Sequence, residues 1–225
     1  MIYLIIVLVI GALYGPHLWA AHVLARYDRS EYFSGNGIEL AGLLLRRLNL
    51  SDVKVEVTDS ADHYDPGEKA IRLTLSRCGR KTLTAVVVAA HEVGHAIQDH
   101  LGYTPLQTRT RWIGTAARLE RVGAAIMVGV PVFALVTRVP SAGLLMFAGG
   151  LLTLCVPLVV HLLTLPTEID ASFHRALPLL ASGAYIPAED VPAARRILLA
   201  CTLTYVAGSL AGLLNVWRWI KILRR

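Results

Sequence analysis

Charge is scarce in this chain. Asp, Glu, Lys and Arg supply 17% of its 225 residues, against roughly a quarter in ordinary soluble domains. With 55% apolar residues and a mean hydropathy of +0.54, the sequence excludes a disordered chain and argues against an ordinary soluble enzyme. Cysteine is scarce too. Cys78, Cys155 and Cys201 are odd in number and far apart, which excludes a disulfide framework and a cysteine-based metal site. They read as small hydrophobes. Lysine is nearly missing, with 4 beside 18 Arg. A net charge of +6 would suit nucleic acid, but the arginines sit beside hydrophobic runs instead of lining one face. The partner they imply is the lipid bilayer, and no nucleic acid.

What the chain does have is long hydrophobic runs. Ile2 to Ala25 carry no formal charge, and that length spans a bilayer as a helix. Met1-Ile2-Tyr3 offers no basic residue ahead of the run, as a cleaved signal peptide requires, so an anchor is expected. Gly15-Pro16 predicts a kink, with His17, Trp19 and His22 near an interface. Val122 to Thr137 and Val139 to Pro166 read as a helical hairpin turning at Thr137–Ser141. Leu198 to Trp217 form a fourth run, followed by Arg218, Lys221, Arg224 and Arg225. The expected organisation is an N-terminal transmembrane helix (1–25), a polar α+β segment (26–121), a transmembrane hairpin (122–166), a polar helical segment (167–197), and a C-terminal transmembrane helix with a basic tail (198–225). Two spans separate the polar segments, which places both on one side of the membrane. Arg26, Arg29, Arg109, Arg111, Arg118, Arg121, Arg175, Arg195 and Arg196 flank that side, and Arg138 with the C-terminal cluster flanks the other. This bias predicts polar segments facing the cytoplasm, in a prokaryotic inner membrane.

Within the larger polar segment, Gly37 to Leu48 has helical apolar spacing. Asp52 to Thr58 and Ala70 to Leu75 alternate with period two, and Asp62-His63-Tyr64-Asp65-Pro66-Gly67 between them is turn chemistry. A strand pair followed by a helix is predicted, the helix capped by Thr82 and stopping at Gly102. That helix carries His91-Glu92-Val93-Gly94-His95. Residues four apart lie one turn plus about 40° around an α-helix, so both imidazoles project from one face, about 6 Å apart along the axis. This suits two ligands of one tetrahedral zinc. Glu92, about 100° around from His91, is placed to reach water at the metal. Gly94 costs about 1 kcal/mol of helix propensity, which close approach of another element would explain.

A catalytic zinc needs a third protein ligand and an open position. The metzincin pattern fails, because Gln98 stands where a glycine would and Leu101 where a histidine would. Asp99 and His100 lie beyond His95 on the same helix and cannot fold back, and His161 falls in a predicted span. Glu120, Glu168, Asp170, His174, Glu189 and Asp190 remain. The stretch Thr164 to Ser172 is the more promising, since Pro166 and Thr167 can open a helix with Glu168 and Asp170 in its first turns. Carboxylates there would also serve as plain helix-dipole partners.

The block Val88 to Gln98 resembles the YugP-like family of membrane-embedded neutral zinc metallopeptidases. The likeness extends to Asp62–Pro66, Gly102–Leu106, Leu163–Ser172 and Leu203–Ala207, in the family's order. With the four apolar runs, the expected fold is a mainly α membrane protein with about four transmembrane helices and a small α+β zincin-like catalytic domain at the membrane surface. The resemblance implies one Zn²⁺ held by His91, His95 and Glu168, with Glu92 as catalytic base. The wider gluzincin pattern has an aspartate four residues after the glutamate, orienting a ligand histidine. That position is Ser172 here, with Asp170 the nearest carboxylate, and a hydroxyl can also hold an imidazole N–H.

The reaction implied is hydrolysis of a polypeptide substrate by water activated at zinc, with Glu92 as general base. His63, Tyr64, His174, Arg175 and Tyr205 are candidates to share the developing oxyanion. The strand Ile71–Leu75 precedes the motif helix, where zincin-type enzymes add a substrate strand. Two rivals stand beside this reading. A non-enzymatic scaffold or carrier would use zinc structurally, with four protein ligands and no need of Glu92. An intramembrane-cleaving protease would bury its motif within a span, but the apolar run ahead of His91 is only Leu83 to Ala90.

Overall fold

The computed structural model describes residues 2–28, 35–182 and 185–212. The chain forms two compact units. One takes Leu18–Gln107 and Leu165–Thr204, the other Met1–His17, Thr108–Thr164 and the chain from Tyr205 onward.

In the first unit, helix α1 (Ile2–Arg26) contributes its C-terminal part and buries Ala20 and Val23 in the core. Helix α2 (Gly37–Arg47) opens with a capping box: Asn36 Oδ1 accepts from Glu39 N at 3.0 Å, and Glu39 Oε2 accepts from Asn36 N at 2.9 Å. Its Leu40, Ala41, Leu44 and Leu45 line one buried face. Strands β1 (Lys54–Thr58), β2 (His63–Asp65) and β3 (Ala70–Thr74) form one sheet in the order β1-β3-β2. β1 runs parallel to β3, with Val55 opposite Ile71, and β2 runs antiparallel to it, with Tyr64 opposite Ile71.

The predicted strand pair is therefore a three-stranded sheet. The segment read as a turn from Asp62 to Gly67 contributes β2, and the turn itself is tighter, with Asp65 Oδ1 accepting from Gly67 N and Glu68 N. Arg72 on the central strand pairs with Glu56 on one side (3.1 Å) and Asp65 on the other (2.6 Å), fixing the register across all three strands. β3 ends at Thr74, short of the predicted Leu75, because Asp62 Oδ1 accepts from both the Thr74 amide and its hydroxyl. The chain then enters the one-turn helix α3 (Leu75–Cys78). With β1 on one edge and β2 and Asp62 on the other, β3 has no free edge for a substrate strand.

Helix α4 (Leu83–His100) is the axis of this unit. Thr82 caps it, its hydroxyl oxygen accepting from Ala85 N while its proton goes to Asp28 Oδ1 at 2.6 Å. Asp28 also pairs with Arg77 and Arg80, and Thr84 donates to Leu24 O, so the end of α1 is tied to the start of α4. Every residue from Leu83 to Ala96 is buried. Four valines and a mid-helix glycine are poor helix formers. Burial at roughly 1.5–3 kcal/mol for each valine outweighs that deficit, so tertiary packing holds the helix. Gly102, at φ +63°, ends it, as predicted.

The second unit is built from helices α5 (Thr104–Thr137) and α6 (Pro140–Leu163). α5 starts well before the Val122 boundary expected of the second span. Arg138, at φ +55°, and Pro140 at the first helical position make the turn between them. The two helices approach closely at small residues: a Cβ on Gly123 would strike Thr153, and one on Gly150 would lie 2.9 Å from Met127 Sδ. Their other faces are unlike a soluble protein's, with Leu135, Leu144, Leu145 and Leu152 all strongly exposed. Among the described residues three helices are long and apolar enough to cross a membrane, in Val7–Arg26, Thr104–Thr137 and Ser141–Leu163. The fourth predicted run begins in the last helix, and its end at Trp217 lies outside the described residues. So do Arg29 and the C-terminal basic residues.

The chain then returns to the first unit through α7 (Leu165–Ile169), a π-helical segment (Asp170–Ala176) and α8 (Leu177–Ser182). A 3₁₀ turn (Ala188–Asp190) leads into α9 (Val191–Gly212). Removing the α4 cap tests the junction. Thr82→Ala should lose about 1–2 kcal/mol of stability, read as a lower melting temperature of the detergent-purified chain, while Thr82→Ser should melt like the parent.

Candidate metal centre

α4 presents His91, Glu92 and His95, exposed by only 2, 4 and 3%. Glu168, 3% exposed, reaches them from α7. Its Oε2 lies 3.4 Å from His91 Nε2 and 3.2 Å from His95 Nε2, and the two ring centroids are 4.8 Å apart. Four ligands at about 2.0–2.1 Å around a tetrahedral zinc sit about 3.3 Å from one another. The two separations from Glu168 thus already match that edge, all three donor atoms lie within 4.8 Å of one another, and two imidazole nitrogens with one carboxylate oxygen are donors that zinc takes.

A backbone contact brings a residue so distant in sequence into place. The π-helical segment lies directly on α4 at Gly94, where an added Cβ would fall 2.5 Å from Ala171 O. This accounts for a glycine inside the motif. π turns are rare and often mark functional sites. Here one begins two residues after Glu168 and carries Ser172, and these residues, four apart, both face α4. Glu168 meets the Nε2 side of both rings, and Ser172 Oγ lies 3.0 Å from Nδ1 of His91. Ser172 in turn contacts Thr202 Oγ1 on α9 at 2.8 Å.

Gln98, noted in the sequence only for breaking the metzincin pattern, is fully buried beside this group. Its Oε1 lies 2.9 Å from His95 Nδ1, and its Nε2 donates to Thr167 O and Asp170 Oδ2. Burial would raise the Asp170 pKa, but the bonds from Gln98 and Arg175 outweigh it and hold the carboxyl below its ordinary value. Asp170 therefore touches neither ligand ring directly. The available signal for Gln98 was its position three residues after His95, one helical turn on.

The remaining candidates have other partners. His174 is exposed and faces Asp170 Oδ1 at 3.4 Å, and Arg175 donates to the same carboxylate. His63 Nδ1 lies 2.8 Å from Ala61 O. Tyr64 donates to Asp99 Oδ2, and burial together with that carboxylate raises its pKa so that it stays neutral. Tyr205 belongs to the other unit, stacked on His161 with the Arg109 guanidinium over its ring.

This donor set is one that could hold a divalent metal ion, and comparison with known proteins gives the family. Residues 1–224 match the family described as "Putative neutral zinc metallopeptidase", and the chain belongs to that family. It is 30% identical over 226 residues to the Bacillus subtilis protein named "Putative membrane protease YugP", covering 97% of this chain and 96% of that one. No solved structure matches it.

The Gly94 contact can be tested directly. Gly94→Ala should destabilise the chain by roughly 1–3 kcal/mol through overpacking and lower the zinc it retains. Gly114→Ala on α5, where a Cβ meets nothing within 4 Å, should be neutral or stabilising by up to about 1 kcal/mol. Thermal melting and metal analysis of both variants distinguish the two.

Proposed function

We propose that the protein is a membrane-anchored, gluzincin-like zinc endopeptidase with one Zn²⁺ per chain, held by His91, His95 and Glu168. The observation that carries this is the match between the 3.2 and 3.4 Å donor separations and the edge of a zinc tetrahedron. Zinc, when bound there, supplies the Lewis acidity that makes water nucleophilic near neutral pH and polarises a peptide carbonyl. Glu92, adjoining His91 on α4, accepts the proton of the attacking water and delivers it to the leaving amine. Ser172 holds His91 through Nδ1 and so aims the ring. Burial of all four groups keeps bulk water from competing for them.

The structural-zinc reading is less well supported. Among the described residues the group that could hold an ion contains three donors, whereas a structural site takes four. The intramembrane reading is also weaker, since α4 is not among the helices apolar enough to span a bilayer. The three apolar helices and the membrane-protease relative support anchoring. The arginine bias supports an active site on the cytoplasmic face of a prokaryotic inner membrane.

Glu92→Gln should retain wild-type zinc while proteolysis of casein falls by about 10²–10⁴-fold, and a chelator should abolish the wild-type activity. Unchanged function in Glu92→Gln would support the scaffold reading instead. Orientation is read separately, in a chain whose three native cysteines are replaced. Arg138→Cys should react with a membrane-impermeant maleimide on intact cells, and Asp59→Cys should react only after lysis.

A further inference from the structure

The hydrogen bonds around the two imidazoles have a direction that can be worked out atom by atom. Gln98 Nε2 faces two acceptors, Thr167 O at 2.9 Å and Asp170 Oδ2 at 2.8 Å. Both of its protons are used there, so the amide oxygen is the atom that faces His95 Nδ1 at 2.9 Å. An amide oxygen only accepts. His95 must therefore carry its proton on Nδ1.

The second chain runs through α9. Thr202 Oγ1 lies 2.8 Å from Leu198 O, a carbonyl that only accepts, so the single threonine proton points there. Toward Ser172 Oγ, 2.8 Å away, Thr202 is then the acceptor, and the serine proton is committed to it. Ser172 also sits 3.5 Å from the same Leu198 carbonyl, a much weaker alternative. What Ser172 turns toward His91 Nδ1, at 3.0 Å, is a lone pair. His91 must also carry its proton on Nδ1. In the neutral rings both Nε2 atoms are bare, and both face Glu168 Oε2. Three electron-pair donors at this spacing repel one another unless a cation sits among them.

We propose that Gln98 and Thr202 are positioning residues of this centre: each sets the direction of one hydrogen-bond chain, and together they hold both imidazoles in the tautomer whose free nitrogen faces the metal position. The inference deepens the zinc-peptidase reading and rests on it. A metal ion arriving there displaces no ring proton and turns no ring. The acceptors on the rings are an amide and a hydroxyl in place of carboxylates, so the imidazoles donate less charge than in a carboxylate–histidine pair.

The test uses the full chain in detergent, with zinc affinity read by chelator competition and ligand geometry by the visible spectrum of the cobalt-substituted protein. Thr202→Val, which keeps the shape and removes the hydroxyl, should bind zinc about 10–100-fold more weakly, with an altered cobalt spectrum. Thr202→Ser should match the parent. Thr202→Val should also lower the melting temperature of the metal-free chain, because a buried serine proton loses its acceptor, so the deciding readout is the cobalt spectrum of the loaded chain, which a merely structural threonine would leave unchanged. A measurement on the parent alone needs no variant to fold. In the zinc-loaded protein the His91 and His95 Nδ1 protons should both be visible by ¹H–¹⁵N NMR and protected from exchange with water. Wild-type affinity and spectrum in Thr202→Val, or rapid exchange of either proton, would overturn the inference. A parent chain that binds no zinc would instead overturn the reading beneath it.

Discussion

The centre depends on one close approach between two backbones. Where α4 meets the π-helical segment, Gly94 lies against the carbonyl of Ala171, and no other residue type leaves room for that contact. Everything else at the site follows from it. With the two helices this close, the short side chain of Glu168 reaches both imidazoles and the shorter one of Ser172 reaches the back of His91. Two helices in ordinary side-chain contact, 8–10 Å apart, would leave those groups too distant to share an ion. The glycine weakens its helix by about 1 kcal/mol, and the buried valines around it offset that many times over.

The buried polar network solves a second problem. Six polar side chains (His91, Glu92, His95, Gln98, Glu168 and Ser172) are withdrawn from water in one small volume, which is costly unless each is satisfied. Direction within the network matters as much as distance. The chains ending on Thr167 O and Leu198 O turn hydrogen-bond donors away from the space between the rings and Glu168. That space is lined by electron pairs, a good environment for a divalent cation and a poor one for anything else.

Sequence made the placing of the site's side chains more legible than the architecture. His91, Glu92 and His95 could be placed because helical periodicity alone determines which residues share a face, and Thr82 and Gly102 mark the ends of α4 through capping chemistry that is local. The hydrophobic runs likewise located long apolar helices. Direction and partnership were not legible. Alternation in Lys54–Thr58 and Ala70–Thr74 shows a period of two but not that the strands run parallel, and β2, three residues long, is too short for any period to show. Its inclusion depends on Arg72 bridging Glu56 and Asp65, a contact across strands. Glu168 could be singled out only by resemblance, because its approach to α4 runs through Ala171 and a π turn that no local pattern announces. Gln98 and Thr202 were missed for the same reason: each acts through a partner distant in sequence.

X-ray absorption at the zinc edge of the purified full chain examines the central claim most directly. The account predicts one zinc per chain surrounded by light nitrogen and oxygen neighbours at about 2.0–2.1 Å, with the outer-shell pattern of two imidazoles and a spectrum that changes in Glu168→Ala. Absence of zinc from the freshly purified protein, a sulfur neighbour, or a spectrum indifferent to loss of Glu168 would contradict it.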